Sequence, residues 1–250
     1  MGTALVPRRW FHPLVARLHP RAEPEMREVI RRCDPMGTAI DVGTWYGPWT
    51  YWLSRQVRSV ESFEPNPKVA AVLRAGVAKN VTVHECAASD VDGTADLVLQ
   101  DLRVGSEGTA TIVPGVSGAG SHEVRTKRID EFGFTDVRFI KIDVEGHERA
   151  VLAGARETIE RDHPVLFVEL EERMTDIDAT IGMLTAIGYD ARFLMNGVWM
   201  SSTAMDLASW QREFTRTHEM QSYLQTVARG NGYVNDVAFV HPRSTWSPWD

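Results

Sequence analysis

Four acids and one pair of glycines are the residues of this chain best suited to chemistry. Asp41 ends an apolar run, residues 38–42, and is followed by Gly43 and Gly47, four residues apart. Glu64, Asp143 and Glu169 each end a later apolar run in the same way. If those runs are parallel strands, all four carboxylates open onto one edge of one sheet, where open α/β sheets bind their ligands. Carboxylates crowded together there are costly to desolvate unless each has a donor or a cation. A single acid in such a place reads as a helix N-cap. Four together fit a ligand that carries hydroxyls and a positive charge.

A dinucleotide is the first ligand to test. Its GxGxxG turn lets the backbone approach a pyrophosphate at a helix N-terminus. Here Trp45 stands where the second glycine is needed, and Asp41 sets a negative charge beside the turn. Glu64 lies about 20 residues on, where an acid holds a ribose, and that suits any adenosine cofactor. S-adenosyl-L-methionine (SAM) fits better than NAD. It offers a ribose diol to Glu64, a sulfonium and an ammonium to the acids near the turn, and no phosphate.

These residues need a scaffold to hold them. Residues 59–63, 81–84, 137–142, 164–168, 189–194 and 236–240 read as further strands, with helical spacing between most of them. Asn66 caps one helix with Pro67 at its first position. The alternation predicts an α/β fold: a doubly wound, mostly parallel seven-stranded sheet. Residues 94–99 alternate like a hairpin strand, and residues 105–120 form a loop long enough to be a lid. We expect an N-terminal arm over residues 1–24, extended and broken by Pro7, Pro13 and Pro20. A single domain over residues 25–250 follows, with a helical insertion at about 200–233 that includes a helix over 205–227.

At 43% hydrophobic and 24% charged residues, 250 residues suffice for one such domain. The net charge of −7 argues against a nucleic-acid partner. No apolar run is long enough to span a membrane, and residues 1–20 lack the apolar centre of a secretory signal. Two cysteines without CxxC spacing read as free thiols in a reducing, cytoplasmic setting. The arm and the Trp-rich tail could cover a homodimer surface.

The ordered motifs resemble one family. They are Asp41-Val42-Gly43 with Gly47, Phe63-Glu64-Pro65-Asn66-Pro67, Ala87-Ala88-Ser89-Asp90, and Ile140-Lys141-Ile142-Asp143-Val144-Glu145-Gly146-His147-Glu148. Together, over residues 37–195, they resemble the FkbM-type group of class I SAM-dependent methyltransferases, which has a Rossmann-like fold. The resemblance implies that Asp41, Gly43, Thr44 and Gly47 line the methionine part of SAM and that Glu64 holds the ribose. It implies that Ala88 and Ser89 lie near the adenine and that Asp143 faces the methyl group. Trp45 and Tyr46 depart from the smaller residues usual at this turn, and one expectation is that they wall the acceptor site.

Methyl transfer to a hydroxyl needs positioning and a way to lower the acceptor pKa. His147 is a candidate base; its alternative is a helix-start residue bonded to backbone. Asp143 and Glu169 are candidate ligands for Mg²⁺, which favours oxygen donors; the alternative pairs Glu169 with Lys141 or Arg173. Asp143, His147 and Glu169 are thus the candidate catalytic residues. Trp45, Tyr46 and Trp199 are the candidate substrate contacts, because sugar rings stack on indole and phenol faces. The expected acceptor is a sugar or glycoside hydroxyl, with a polyketide or other natural product second. A SAM-binding partner protein without turnover is the reading from another class.

Overall fold

The computed structural model describes residues 8–23, 25–99, 109–218 and 232–249. Parts of three sequence expectations fall outside that range: residues 1–7 of the arm, 105–108 of the long loop, and 219–227 of the late helix.

The strands of the main sheet are β1 (Thr38–Val42), β2 (Ser59–Phe63), β3 (Val81–His84), β7 (Val137–Ile142), β8 (Val165–Glu169), β9 (Asp190–Met195), β10 (Val198–Ser201) and β11 (Asp236–Val240). Their spatial order is β10-β9-β11-β8-β7-β1-β2-β3. The five strands from β3 to β8 are parallel, and β11 runs antiparallel to both β8 and β9. The chain begins its sheet in the middle, at β1, and winds outward on both sides. That leaves the crevice for a ligand at the carboxyl ends of β1 and β7.

The sheet has eight strands rather than the expected seven. The extra one, β10, pairs antiparallel with β9 across Asn196-Gly197. Both turn residues have positive φ, 51° and 77°, which the primed turns of tight hairpins require. A second sheet of three strands, in the order β4 (Ala87–Ala88), β6 (Gly120–Lys127) and β5 (Gly93–Leu99), stands beside the end of β3. Residues 94–99 do form the expected hairpin strand, paired with β6.

Helices cover both faces: α2 (Glu25–Arg32) and α3 (Pro48–Gln56) on one, α5 (Glu148–Gly154), α6 (Arg156–Asp162) and α7 (Ile177–Thr185) on the other. Asn66 caps α4 (Pro67–Arg74), its side chain accepting the Lys68 N–H at 3.0 Å. α8 (Leu207–Thr217) lies in the expected insertion and is capped by Asp206. Among the described residues no helix is long and apolar enough to cross a membrane. Cys33 and Cys86 are both buried and unbridged.

Residues 8–18 are a helix, α1, and not an extended arm. Tertiary packing overrides the prolines. Phe11 and Val15 fall on one side of α1 and pack with Tyr46 and Val69, and His12 Nδ1 bonds the Tyr46 carbonyl at 2.9 Å. A turn of 3₁₀ helix, His19–Arg21, then carries the chain to α2.

Trp49 joins the layers. It is 4% exposed, with its ring 5.9 Å from Phe139 on β7 and 5.1 Å from Phe167 on β8. Its indole N–H donates to Glu23 at 2.8 Å. Trp49→Ala would remove packing between helix and sheet together with the anchor of Glu23, at a cost of about 3–5 kcal/mol. Urea unfolding measures that loss; a change below about 1 kcal/mol would contradict the stacked position.

Candidate active site

The turn after β1 is built from beneath by two of its own residues. Thr44 Oγ1 donates to the Asp41 carbonyl at 3.0 Å and to the Phe63 carbonyl at 3.1 Å. The Gly43 and Thr44 N–H groups reach the same Phe63 carbonyl. The Asp41 carboxylate does not reach the cleft; it accepts from Thr50 Oγ1 at 2.6 Å, and Thr50 in turn meets Ser62. Burial lifts the Asp41 pKa to about 6, against the opposing pull of Thr50 and Lys141. Asp41 and Thr44 therefore shape the turn rather than line the site.

Both glycines are required by contact. Gly43 has φ +79°, and a Cβ there would lie 1.6 Å from the Asp143 carbonyl oxygen, so the β1 and β7 turns meet backbone to backbone. Gly47 has φ +77°, and its Cβ would enter the His12 ring and Leu73. Gly47 thus makes room for α1 rather than for a ligand.

A cleft opens above this turn, lined by Gly43, Trp45, Phe63, Glu64, Asp143 and Glu145, with Ala87, Ala88, Leu97 and Ile112 as an apolar wall. Glu64 is held rigidly: Oε2 accepts the Trp45 N–H and Oε1 the Asn66 N–H, both at 2.8 Å. An ionised carboxylate accepts hydrogen bonds from the two hydroxyls of a diol. Trp45 takes φ +49°, unusual for a bulky residue, and presents part of its side chain to the cleft. Tyr46, next to it, turns the other way and is buried beneath α1, edge-on to Phe11. Trp199 sits on β10 with its ring 5.7 Å from that of Trp249 and does not line the cleft.

Two further expectations change. Ser89 is buried at the edge of the site, where its hydroxyl meets His147 Nε2 at 2.9 Å and Asp90 Oδ1 at 3.1 Å. Neither His147 nor Ser89 lines the cleft. His147 begins α5, its carbonyl accepting the Val151 N–H, and burial lowers its pKa, with Asp90 partly offsetting the shift. His147 stands at the helix start, as one reading expected, but its ring bonds the Ser89 hydroxyl and not backbone.

Behind Asp143 the acids gather round a buried lysine. Lys141 is 1% exposed, and its Nζ lies 3.1 Å from Asp236, 3.8 Å from Asp143 and 3.9 Å from Glu169. Burial works against its charge, but Asp236, Asp143, Glu169 and Glu23 outweigh that and hold its pKa well above the ordinary lysine value. Burial and the neighbouring Asp143 raise the Glu169 pKa well above its usual range, and Asn235 donates to its other oxygen at 2.6 Å. These residues do not fit a magnesium ion bridging Asp143 and Glu169, because a fixed ammonium already stands within 4 Å of both. Among the described residues no group of three His, Cys, Asp or Glu has metal-binding geometry.

The sequence of residues 37–193 matches the model of the methyltransferase FkbM domain. The chain belongs to the FkbM methyltransferase family. The cleft residues suit SAM as a cofactor: a fixed carboxylate for the ribose, an apolar wall for the base, acids for the positive end. Among solved structures it is similar to an FkbM methyltransferase from Methylobacillus flagellatus KT, with TM-score 0.52 and 15% identity. The match covers 94% of this chain and 63% of that one, so this chain spans less than two thirds of that protein. A putative methyltransferase from Streptococcus mutans in complex with SAH aligns at TM-score 0.46 and 10% identity, over 87% of this chain and 96% of that one. A precorrin-6y C5,15-methyltransferase from Geobacter metallireducens GS-15 aligns at TM-score 0.44 and 11% identity, over 88% and 87%. These two share only a general likeness. A search of curated proteins finds no match.

Beyond the FkbM domain, the N-terminal segment adds acids that the motifs did not reveal. Glu23 bonds His19 at 2.7 Å; burial pushes its pKa up, but His19 and Lys141 bring it down to about 2. Glu25 is raised to about 9 by burial, with Asp236 and Glu23 adding to the shift. Glu145 rises to about 8 through burial and the charges of Asp143, Glu171 and Glu148. A lysine inside an apolar strand was the sequence signal that such a cluster exists.

Folded-state pKa values above the ordinary carboxylate value fix the sign of a pH effect. The folded protein binds protons at Glu25 and Glu145 more tightly than the unfolded chain does. The resulting stability is complete at acid pH and is lost as pH rises through about 8 to 9. The melting temperature therefore falls from about pH 5 up to pH 8 to 9 and levels off above, by about 2–4 °C per kcal/mol lost. Glu25→Gln and Glu145→Gln should flatten that slope in a thermal scan across pH; an unchanged slope would refute the assignment.

Proposed function

We propose that the protein methylates a hydroxyl of a sugar or glycoside, with Asp143 as the general base and without a metal ion. When bound, SAM supplies a methyl carbon activated by its sulfonium. Gly43 and the Glu64 carboxylate orient the cofactor, and Trp45 forms the side of the cleft next to the acceptor. The observation that carries the reading is the half-buried Asp143 carboxylate lining the cleft beside a buried ammonium. Burial raises its pKa, which makes it a stronger base while the lysine favours its ionised form. Asp143 takes the proton that the acceptor hydroxyl loses as its oxygen is methylated.

A groove beyond Asp236 supports a hydroxyl-rich acceptor. It runs between the N-terminal segment and the β9–β10 hairpin, lined by Arg21, Glu25, Leu194, Met195, Asn196 and Tyr233. Those polar side chains supply both donors and acceptors, as a ring of hydroxyls requires. A largely apolar acceptor such as a polyketide would leave several of them unpaired.

Two experiments follow. With labelled SAM and a panel of glycosides and polyketides, label should enter glycosides; labelled polyketides and blank glycosides would reverse the choice of acceptor. On the best acceptor, Asp143→Asn should lower kcat by about 10²–10⁴-fold, whereas His147→Gln should stay within a few-fold of wild type. The opposite ranking would restore His147 as the base.

A further inference from the structure

Lys141 is a lysine where the sheet calls for an apolar residue. It lies on β7 between Ile140 and Ile142, both fully buried, and is itself 1% exposed. The register sets it beside Asp41 of β1 on one side and Phe167 of β8 on the other. One pleat nearer the carboxyl edge, and on the same face, stand Asp143, Glu169 and Asp236, the last two paired across β8 and β11. Side chains two residues apart on a strand share a face, so the register alone directs these acids towards the ammonium.

The distances are uneven in an informative way. Asp236 accepts a hydrogen bond from Nζ at 3.1 Å. Asp143 and Glu169, at 3.8 and 3.9 Å, are within ion-pair range but beyond hydrogen-bond range. Nζ is also 5.5 Å from the ring centroids of both Trp49 and Phe167, close enough for cation–π attraction. The ammonium is thus anchored by Asp236 and the two rings, and it faces Glu169 and the cleft-lining Asp143 with donors to spare.

We propose that Lys141 is the resident cation of this active site, occupying the place where a divalent metal would otherwise bridge Asp143 and Glu169. It acts as a positioning residue: its charge holds the Asp143 carboxylate ionised and aimed at the cleft, so the reaction proceeds without a metal. This inference rests on the reading of Asp143 as the base. Asp236, outside the matched FkbM domain, has the role of fixing the lysine.

Manganese binding tests the idea without knowledge of the acceptor. The full-length protein with SAH bound is titrated with Mn²⁺ and followed by electron paramagnetic resonance. Wild type should show no site tighter than about millimolar, because the ammonium repels the dication. Lys141→Ala, which frees three carboxylates and opens room, should gain a Mn²⁺ site that Glu169→Gln in the same background removes. Calorimetric SAH binding within about threefold of wild type shows that the variant is folded. A tight Mn²⁺ site in wild type that is lost in Asp143→Asn would overturn the proposal, even if no lysine variant folds. So would a folded Lys141→Ala that takes up no manganese.

Turnover on the best acceptor adds a second readout. Lys141→Met should lower kcat by about 10²-fold with KM for SAM little changed, and EDTA should leave the wild-type rate intact. Asp143→Asn with wild-type activity would sink the base reading itself. An inactive Asp143→Asn beside a fully active Lys141→Met would sink only the role of the lysine.

Discussion

A single buried ammonium governs the carboxyl edge of this sheet. Removing a lysine from water costs several kcal/mol, and only close, well-directed counter-charges offset it. The chain meets that constraint with one acid from each of several strands: Asp41 from β1, Asp143 just past β7, Glu169 from β8 and Asp236 from β11. Trp49 and Phe167 close the ammonium in from the side. The demand also reaches the N-terminal segment, where Glu23 is held between His19, Trp49 and the field of the lysine. Segments remote in sequence are tied to one charge.

Asp143 links that charge to the cofactor cleft. Its carbonyl oxygen sits so close to Gly43 that no side chain fits between them, and its carboxylate faces Lys141. The turn that shapes the cleft and the acid that serves it therefore share one residue. A shift of β7 along the sheet would disturb both at once, which is why a rigid, fully buried pair of central strands suits this chemistry.

The parallel strands and the glycine turn after β1 were legible because apolar runs ending in acids repeat with helical stretches between them. Glu64 and Ala88, singled out in the sequence, both line the cleft. What escaped depended on where side chains point. Trp45 and Tyr46 are neighbours, yet positive φ at Trp45 gives one to the cleft and the other to the core beneath α1. His147 lies four residues from Asp143 but turns to Ser89, a partner far away in sequence. Prolines concealed α1, whose stability comes from packing on Tyr46 and Val69 rather than from propensity. Asn196-Gly197 was a readable hairpin signal between the strand at 189–194 and the expected insertion, and missing it left Trp199 without its strand.

The charge on this edge is smaller than its formula suggests. Burial and neighbouring acids raise the pKa of Glu25 to about 9 and of Glu145 to about 8, so near neutrality these two retain protons. A protonated carboxyl both donates and accepts, as a hydroxyl-rich ligand requires. Glu23 behaves in the opposite way and stays ionised against His19 and Lys141. Environment thus divides chemically similar acids into neutral hydrogen-bonding groups and a few fixed charges. Asp143 lines the cleft and is backed by the ammonium.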